Sequence, residues 1–564
     1  MKITLFSTLF FFVFFLNINA QTEGIKDYHP PLAIPLILSS NFGELRTNHF
    51  HMGLDFKTNL KTGYRLYSIE DGYVSRVKVS PYGYGKVVYI DHPNGITSVY
   101  AHCSEFKGQI DSLVQAVQER EQNFEIEIYP EKNSIPVKRG EIIALSGNTG
   151  SSTAPHLHFE LRDTKTEHAL NPLLFGFDIA DSKAPEIRGV KIYSVDPDGY
   201  RYDGRETTKT VVKGKYGYYL GGDAISVPSD YCNKLGGIGF AFDVIDRLDG
   251  ASNQCGVYGS YLIIDNDTIF SQAIKRIPFE STRYINSHMD YNAFHLLRKH
   301  FHKSFRTTEN DLPIYQNEKD KGILHVEPGK SHTVQYVAFD LKGNRSELDF
   351  TLTISEGPIN NQEHISDGKN FIDPSSQYRF ANNDCIVEMG MGTVYEPVFK
   401  EEEPMCGEIL DDKIPVNQAF TIKMKTDYPN DNKSYIEVRT SGISGKALKT
   451  SYQDGWLIAE SKSFGSYDIK RDEDAPRIIP VNILNKTNFT SKNKLVWNIS
   501  DPKSGIADYD LFIDGKWFLV EYEYKGNLLT FNIPGDLKGI KQLQLKVKDA
   551  CGNTAIWEKE IEFL

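Results

Sequence analysis

The chain has 564 residues, with 63 Lys and Arg against 75 Asp and Glu and a formal net charge of −12. One hydrophobic core does not organise so long a chain, so several domains are expected. The acidic balance and the lack of a polybasic run argue against a nucleic-acid binder, whose footprint is a basic patch.

Residues 1–20 have the form of a secretory signal peptide. Lys2 gives the positive start, Leu5 to Leu16 is a Phe-rich apolar run, and Asn17-Ile18-Asn19-Ala20 ends on a small residue before Gln21. The run is short for a bilayer span of about 20 residues. No later stretch is long and apolar enough to cross a membrane, so an exported mature chain without a membrane span is expected. The six cysteines are Cys103, Cys232, Cys255, Cys385, Cys406 and Cys551. In an oxidising compartment Cys232–Cys255 and Cys385–Cys406 are the economical pairs, each closing a loop inside one unit, with Cys103 and Cys551 left free. No Cys-x-x-Cys occurs, so cysteine-based zinc sites have no support.

After a Pro-rich lead-in over residues 21–47, the chain from Arg65 to Ala101 reads as antiparallel hairpins. Tyr67-Ser68-Ile69, Gly72 to Val77, Lys86 to Ile90 and Thr97 to Tyr100 are short runs of β-branched and aromatic residues, mostly bounded by Gly, Pro, Asn or Asp. Residues 107–134 break that pattern. Ser112 to Glu121 are good helix formers and Glu125 to Lys132 is highly charged, as in a surface insertion. Gly140 to Gly147 returns to strand, Gly147 to Ser152 is a tight glycine turn, His156 to Arg162 is the last strand, and Asn171-Pro172 closes the unit.

From about Ala184 onward no useful helical period appears, and short strands with turn dipeptides predict β-sandwich modules. A weak repeat links Phe242-Asp243-Val244-Ile245-Asp246 with Trp497-Asn498-Ile499-Ser500-Asp501. Both copies end on an Asp-x-x-Gly-Asn turn, at Asp340 to Asn344 and Asp549 to Asn553. These modules resemble exported immunoglobulin-like domains. Boundaries fall at Lys183-Ala184-Pro185 and Asp474-Ala475-Pro476.

The chemistry concentrates in His51-Met52-Gly53-Leu54-Asp55 and His156-Leu157-His158. Residues i and i+2 of a strand share a face, so His156 and His158 point to one side while Leu157 and Phe159 enter the core. His51 and Asp55 are evenly spaced around Gly53, which permits close backbone approach. Two histidines and a carboxylate can hold a divalent metal with one position open. His102, at the end of the strand Val99-Tyr100-Ala101, suits a cleft wall. With His156 it would serve proton transfer, which an imidazole titrating near 6.5 can perform.

At these residues the chain resembles a LytM/lysostaphin-type zinc metallopeptidase, peptidase family M23. The resemblance runs from about Phe42 to Pro172. It rests on Phe42-Gly43-x-x-Arg46, His51-x-Gly53-x-Asp55, Glu70-Asp71-Gly72-Tyr73-Val74, Tyr84-Gly85-x-x-Val88, Tyr100-Ala101-His102, Gly147 to Thr153, Pro155 to Glu160 and Asn171-Pro172. It implies His51, Asp55 and His158 as zinc ligands and His102 with His156 as the catalytic pair. The implied reaction is hydrolysis of amide bonds in peptidoglycan cross-links, in the periplasm or at the cell surface of a bacterium. Arg46 and Asn48 flank the first motif as possible substrate contacts, and Glu160 is expected to be structural. Three departures stand out. Cys103 replaces a common leucine and is expected to fill core space. The 107–134 insertion could lid the cleft. Ala154 replaces a common glycine, which requires a negative φ.

The expectation is therefore a mainly β, multidomain chain. A signal peptide (1–20) precedes an antiparallel β-sheet M23 peptidase domain (21–180), an Ig-like β-sandwich (181–356), a β-rich module of uncertain type (357–474) and a second Ig-like β-sandwich (475–564). The β modules would position the enzyme through wall or protein contacts. A catalytically silent wall-binding scaffold or activator of another hydrolase, and an adhesin decorated with a peptidase unit, are the alternatives. All five site residues are present, which favours the enzyme.

Overall fold

The computed structural model describes residues 27–564 apart from 222–223, 232–235, 360–370, 401, 442–444 and 484–487. The expected signal peptide and Cys232 lie outside the described residues. The chain is mainly β, in several packed units built from largely antiparallel sheets. No helix among the described residues is long and apolar enough to cross a membrane.

The first unit is organised by a sheet whose strands run, in spatial order, Leu38–Ser40, Leu54–Lys57, His156–Asp163, Ile96–Cys103, Lys86–Asp91, Gly72–Val79 and Ile126–Ile128. Three of the four strands anticipated between Arg65 and Ala101 form in this sheet. The expected Tyr67 to Ile69 is not one of them: its place is taken by Arg65–Tyr67, which pairs with Ile142–Leu145 in a separate small sheet. In Gly72–Val79 the register shifts between Val74 and Arg76. That bulge lets Val74 and Val77, three apart, both enter the core. The strand His156–Asp163 lies between Leu54–Lys57 and Ile96–Cys103. Its Leu157, Phe159 and Leu161 are fully buried on the core side, while His158, Glu160 and Arg162 share the opposite face.

The insertion forms an α-helix over Gly108–Glu121 whose Ile110, Val114 and Val117 are buried at helical spacing. It packs on the strands Gly72–Val79 and Ile126–Ile128, at the sheet edge away from His158, and does not lid the cleft. Cys103 is a fully buried free thiol, as expected of a core residue.

Later units follow the strand-rich reading. In the sheet over residues 186–354, the strand Arg201–Lys213 pairs first with Glu186–Val195 and then with Tyr218–Leu220. Short helices at Ile285–His288 and Tyr291–Leu297 were not anticipated; the second is capped by the Asp290 carboxylate, which accepts from the Ala293 N–H. The two Asp-x-x-Gly-Asn turns are built alike. Asp340 accepts the N–H and side-chain amide of Asn344 at 2.9 and 2.7 Å. Asp549 accepts those of Asn553 at 2.8 and 2.8 Å. Cys385 and Cys406 form a disulfide inside the core of residues 372–469. Cys255 is a buried free thiol, its backbone held in a two-bond bridge with Asp246, and its expected partner Cys232 lies outside the described residues.

The units are not strung out. The apolar core of the first is continuous with that of residues 483–563. The strand Ala169–Leu170 of the first sheet pairs with Arg276–Ile277.

Candidate metal centre

Asp55 lies opposite His158 in the strand register, and His158 lies opposite Ala101 on its other side. His51 sits in the loop between the strands His49–Phe50 and Leu54–Lys57. Gly53 makes that loop possible. A Cβ there would stand 2.5 Å from the Phe159 carbonyl oxygen and 3.1 Å from the His158 ring, so the backbone is pressed against the His158 strand.

Three donor atoms converge. His51 Nε2 is 3.0 Å from Asp55 Oδ1 and 3.1 Å from His158 Nδ1, and His158 Nδ1 is 2.9 Å from Asp55 Oδ1. The outer nitrogens fix which atoms carry protons. His51 Nδ1–H donates to the Asn41 carbonyl at 2.8 Å, with Ser40 Oγ at 2.9 Å. His158 Nε2–H donates to Glu160 Oε1 at 2.8 Å. With both rings neutral, the inner nitrogens present lone pairs to each other and to a carboxylate. Three acceptors about 3 Å apart repel one another unless a cation joins them. A tetrahedral ion with bonds of about 2.0–2.1 Å would place its donors about 3.3 Å apart. The donor set fits a divalent metal.

The charges agree. Burial pushes the Asp55 carboxyl up, but His51, His156 and His158 outweigh it and hold it well below the usual carboxylate range. Burial opposes protonation of His158, yet Asp55 and Glu160 pull it up to about 9. The pocket is short of positive charge.

Glu160 is the residue most undervalued by sequence reading. It is fully buried. It accepts from His158, from Arg162 Nε at 2.8 Å and from the Tyr84 hydroxyl. Burial raises its pKa, but Arg162 and His158 prevail and bring it to about 2. It thus holds the His158 ring and its tautomer. The signal was present in His-x-Glu, since i and i+2 share a strand face.

His102 and His156 stand beside the cage, ring centroids 4.8 Å apart. His102 Nδ1–H donates to the Thr149 carbonyl at 2.8 Å. His156 Nδ1–H donates to the Ala154 carbonyl at 2.8 Å, with Ser152 Oγ at 3.1 Å. Each Nε2 is left as an acceptor, and that of His156 lies 3.4 Å from Asp55 Oδ1. Burial, with neighbouring His158 and His156, lowers His102 to about 3, so its ring is neutral. His102 has a left-handed φ of 59°, while φ at Ala154 is not positive, as its side chain requires.

These side chains line one cleft of about 650 Å³ that also contains Arg46. Arg46 donates to Ser40 Oγ at 2.8 Å and reaches Asp55 Oδ2 at 3.4 Å. Asn48 does not line the cleft; its Oδ1 accepts from Asn286 Nδ2 at 2.9 Å.

The profile of peptidase family M23 matches residues 49–119 and 131–172, leaving out part of the insertion. An uncharacterized metalloprotease of Haemophilus influenzae is 37% identical over 163 residues, 28% of this chain and 29% of its own. The peptidoglycan DD-endopeptidase ShyA of Vibrio cholerae is 34% identical over 130 residues, 22% of this chain and 24% of its own. A crystal structure of a zinc-containing peptidase from Vibrio cholerae is 31% identical, covering 22% of this chain and 33% of that one with a TM-score of 0.17. The chain thus spans less than a third of the length of these two curated relatives. Motif order, donor geometry and profile coincide on the same residues: the chain carries a domain of peptidase family M23.

Proposed function

We propose that the chain is an exported zinc metalloendopeptidase that hydrolyses peptide cross-links of bacterial peptidoglycan. The observation that carries the reading is the convergence of His51 Nε2, Asp55 Oδ1 and His158 Nδ1 within about 3 Å, with two more imidazoles beside them. The naming of a similar protein as a peptidoglycan endopeptidase supports the substrate class.

In this reading His51, Asp55 and His158 hold zinc. Zinc, when bound, supplies Lewis acidity at the open position. The chain's own groups do the rest. His102 and His156 keep their protons on Nδ1 through the Thr149 and Ala154 carbonyls, so each offers a basic Nε2 to the cleft. One accepts the proton of the attacking water and the other donates a hydrogen bond to the developing oxyanion once it is protonated. Glu160 orients His158, and Arg46 at the cleft wall meets the substrate backbone or carboxylate. The units at 181–356, 357–474 and 475–564 position this domain against the wall or a protein partner.

The test is digestion of purified peptidoglycan by the mature chain, with mass analysis of released fragments and His158→Ala as control. Release of cross-link peptides by the wild type alone supports the reading. Wall binding without release, equal in both proteins, would replace it with a silent scaffold.

A further inference from the structure

The last unit packs against the glycine turn that borders the cleft. Its hairpin between the strands Glu521–Glu523 and Leu528–Asn532 presents Tyr524 and Lys525 to the first unit. Lys525 Nζ donates to the Asn148 carbonyl at 2.7 Å and to the Ser152 carbonyl at 2.9 Å. The Tyr524 hydroxyl donates to Ser151 Oγ at 3.2 Å, and its ring lies 4.8 Å from that of Tyr82. Glu521 pairs with Lys86 at 2.9 Å.

All these partners lie on the glycine turn 147–152 or on residues 82–86 beneath it. The turn has no ladder of its own beyond a single bridge between Gly147 and His156. It is wedged on the loop below: a Cβ at Gly150 would lie 2.3 Å from the Gly83 carbonyl oxygen and the Gly85 nitrogen. Yet this turn orients both histidines. Thr149 supplies the carbonyl that fixes His102, and Ser152 Oγ bridges Asn148 Oδ1 and His156 Nδ1 at 2.7 and 3.1 Å.

We propose that Lys525 is a positioning residue for the His102–His156 pair. Its ammonium clamps carbonyls on both limbs of the turn, holding the Thr149 and Ala154 carbonyls where the two Nδ1–H groups need them. Hydrogen bonds from a charged donor are the strong kind, and two of them on one turn restrict rotation of the intervening peptides. Placement of the pair rests on the peptidase reading; the clamp itself does not. The active site is then completed by a residue 373 positions beyond the turn it holds.

The experiment compares the full chain with Lys525→Met, which keeps the stem, and Lys525→Arg, which keeps the donor. Hydrogen exchange of amides 148–154 should become at least about tenfold faster in the Met variant, which loses both charged-donor bonds, and return towards wild type in the Arg variant. On a cross-linked peptide, kcat should fall by a similar factor with KM and zinc content unchanged, again rescued by Arg. Wild-type exchange in Lys525→Met would overturn the proposal, as would a kcat loss that Arg fails to rescue. If the wild type hydrolyses nothing while the exchange pattern holds, the peptidase reading falls and the clamp stands.

Discussion

Asp55 Oδ1 stands 2.9 Å from His158 Nδ1 across directly paired positions of adjacent antiparallel strands, although the residues are 103 apart in sequence. The register, not chain proximity, assembles the cage. A slip by one residue would turn His158 into the core and Leu157 into the site.

Glu160→Gln should weaken zinc binding about 10–100-fold, the usual effect of losing the partner of a ligating histidine. The amide cannot hold the His158 tautomer as the carboxylate does, and it leaves Arg162 buried with a weaker partner. Competition with a chromophoric chelator measures the affinity; an unchanged value would remove Glu160 from the metal centre.

His102→Ala should keep zinc and the fold but lose about 10²–10⁴ in kcat, the range for a general acid–base group. Elemental analysis and steady-state kinetics on the same preparation check it. Zinc loss in proportion to activity would make His102 a ligand instead.

Gly53→Ala should destabilise the first unit by about 1–3 kcal/mol, the range for overpacking. The added methyl meets the Phe159 carbonyl oxygen at 2.5 Å, a backbone atom that cannot swing aside. The shift in denaturant midpoint gives the number. Wild-type stability would mean that the loop relaxes freely.

Asp246→Asn should alter the pH dependence of stability. Burial lifts Asp246 to about 7, with Asp181 and Asp340 adding repulsion and the Arg247 N–H opposing it; Asp181 is lifted to about 6 by burial and Asp340. The carboxylate oxygens of the three lie within 4.8 Å of one another. A raised folded-state pKa means the contribution is full below the unfolded value and lost as pH rises through the folded one. Wild-type Tm in metal-free buffer should therefore fall between about pH 4 and 7. The Asn variant should match it at pH 4 and exceed it at pH 8, with a gain on the order of 2–4 kcal/mol. Equal curves would place the strain elsewhere.

Much of the first unit was legible because its signals are local. Hairpin strands announce themselves by β-branched runs between turn residues, and His-x-His exposes a strand face at once. The Asn41 carbonyl that fixes His51 and the Thr149 carbonyl that fixes His102 were not legible, because a main-chain acceptor carries no residue signature. The short helix Tyr291–Leu297 escaped because seven residues hold too few turns for a period. That Cys255 is a free thiol escaped because spacing says nothing about where a buried thiol points. Lys525 could not be found at all from sequence, since a lone lysine near the C-terminus looks like solvated surface until the fold lays it on Asn148 and Ser152.

The pairing of Ala169–Leu170 with Arg276–Ile277 has a practical side. A polypeptide cut after about residue 180 would retain the metal-binding motifs but strip off a neighbouring strand, leaving unsatisfied main-chain donors and acceptors at an open rim. Such rims recruit foreign strands. Excised on its own, the first unit would tend to self-associate, so shortened versions should keep Arg276–Ile277, the strands that support them and the 483–563 core that continues that of the first unit.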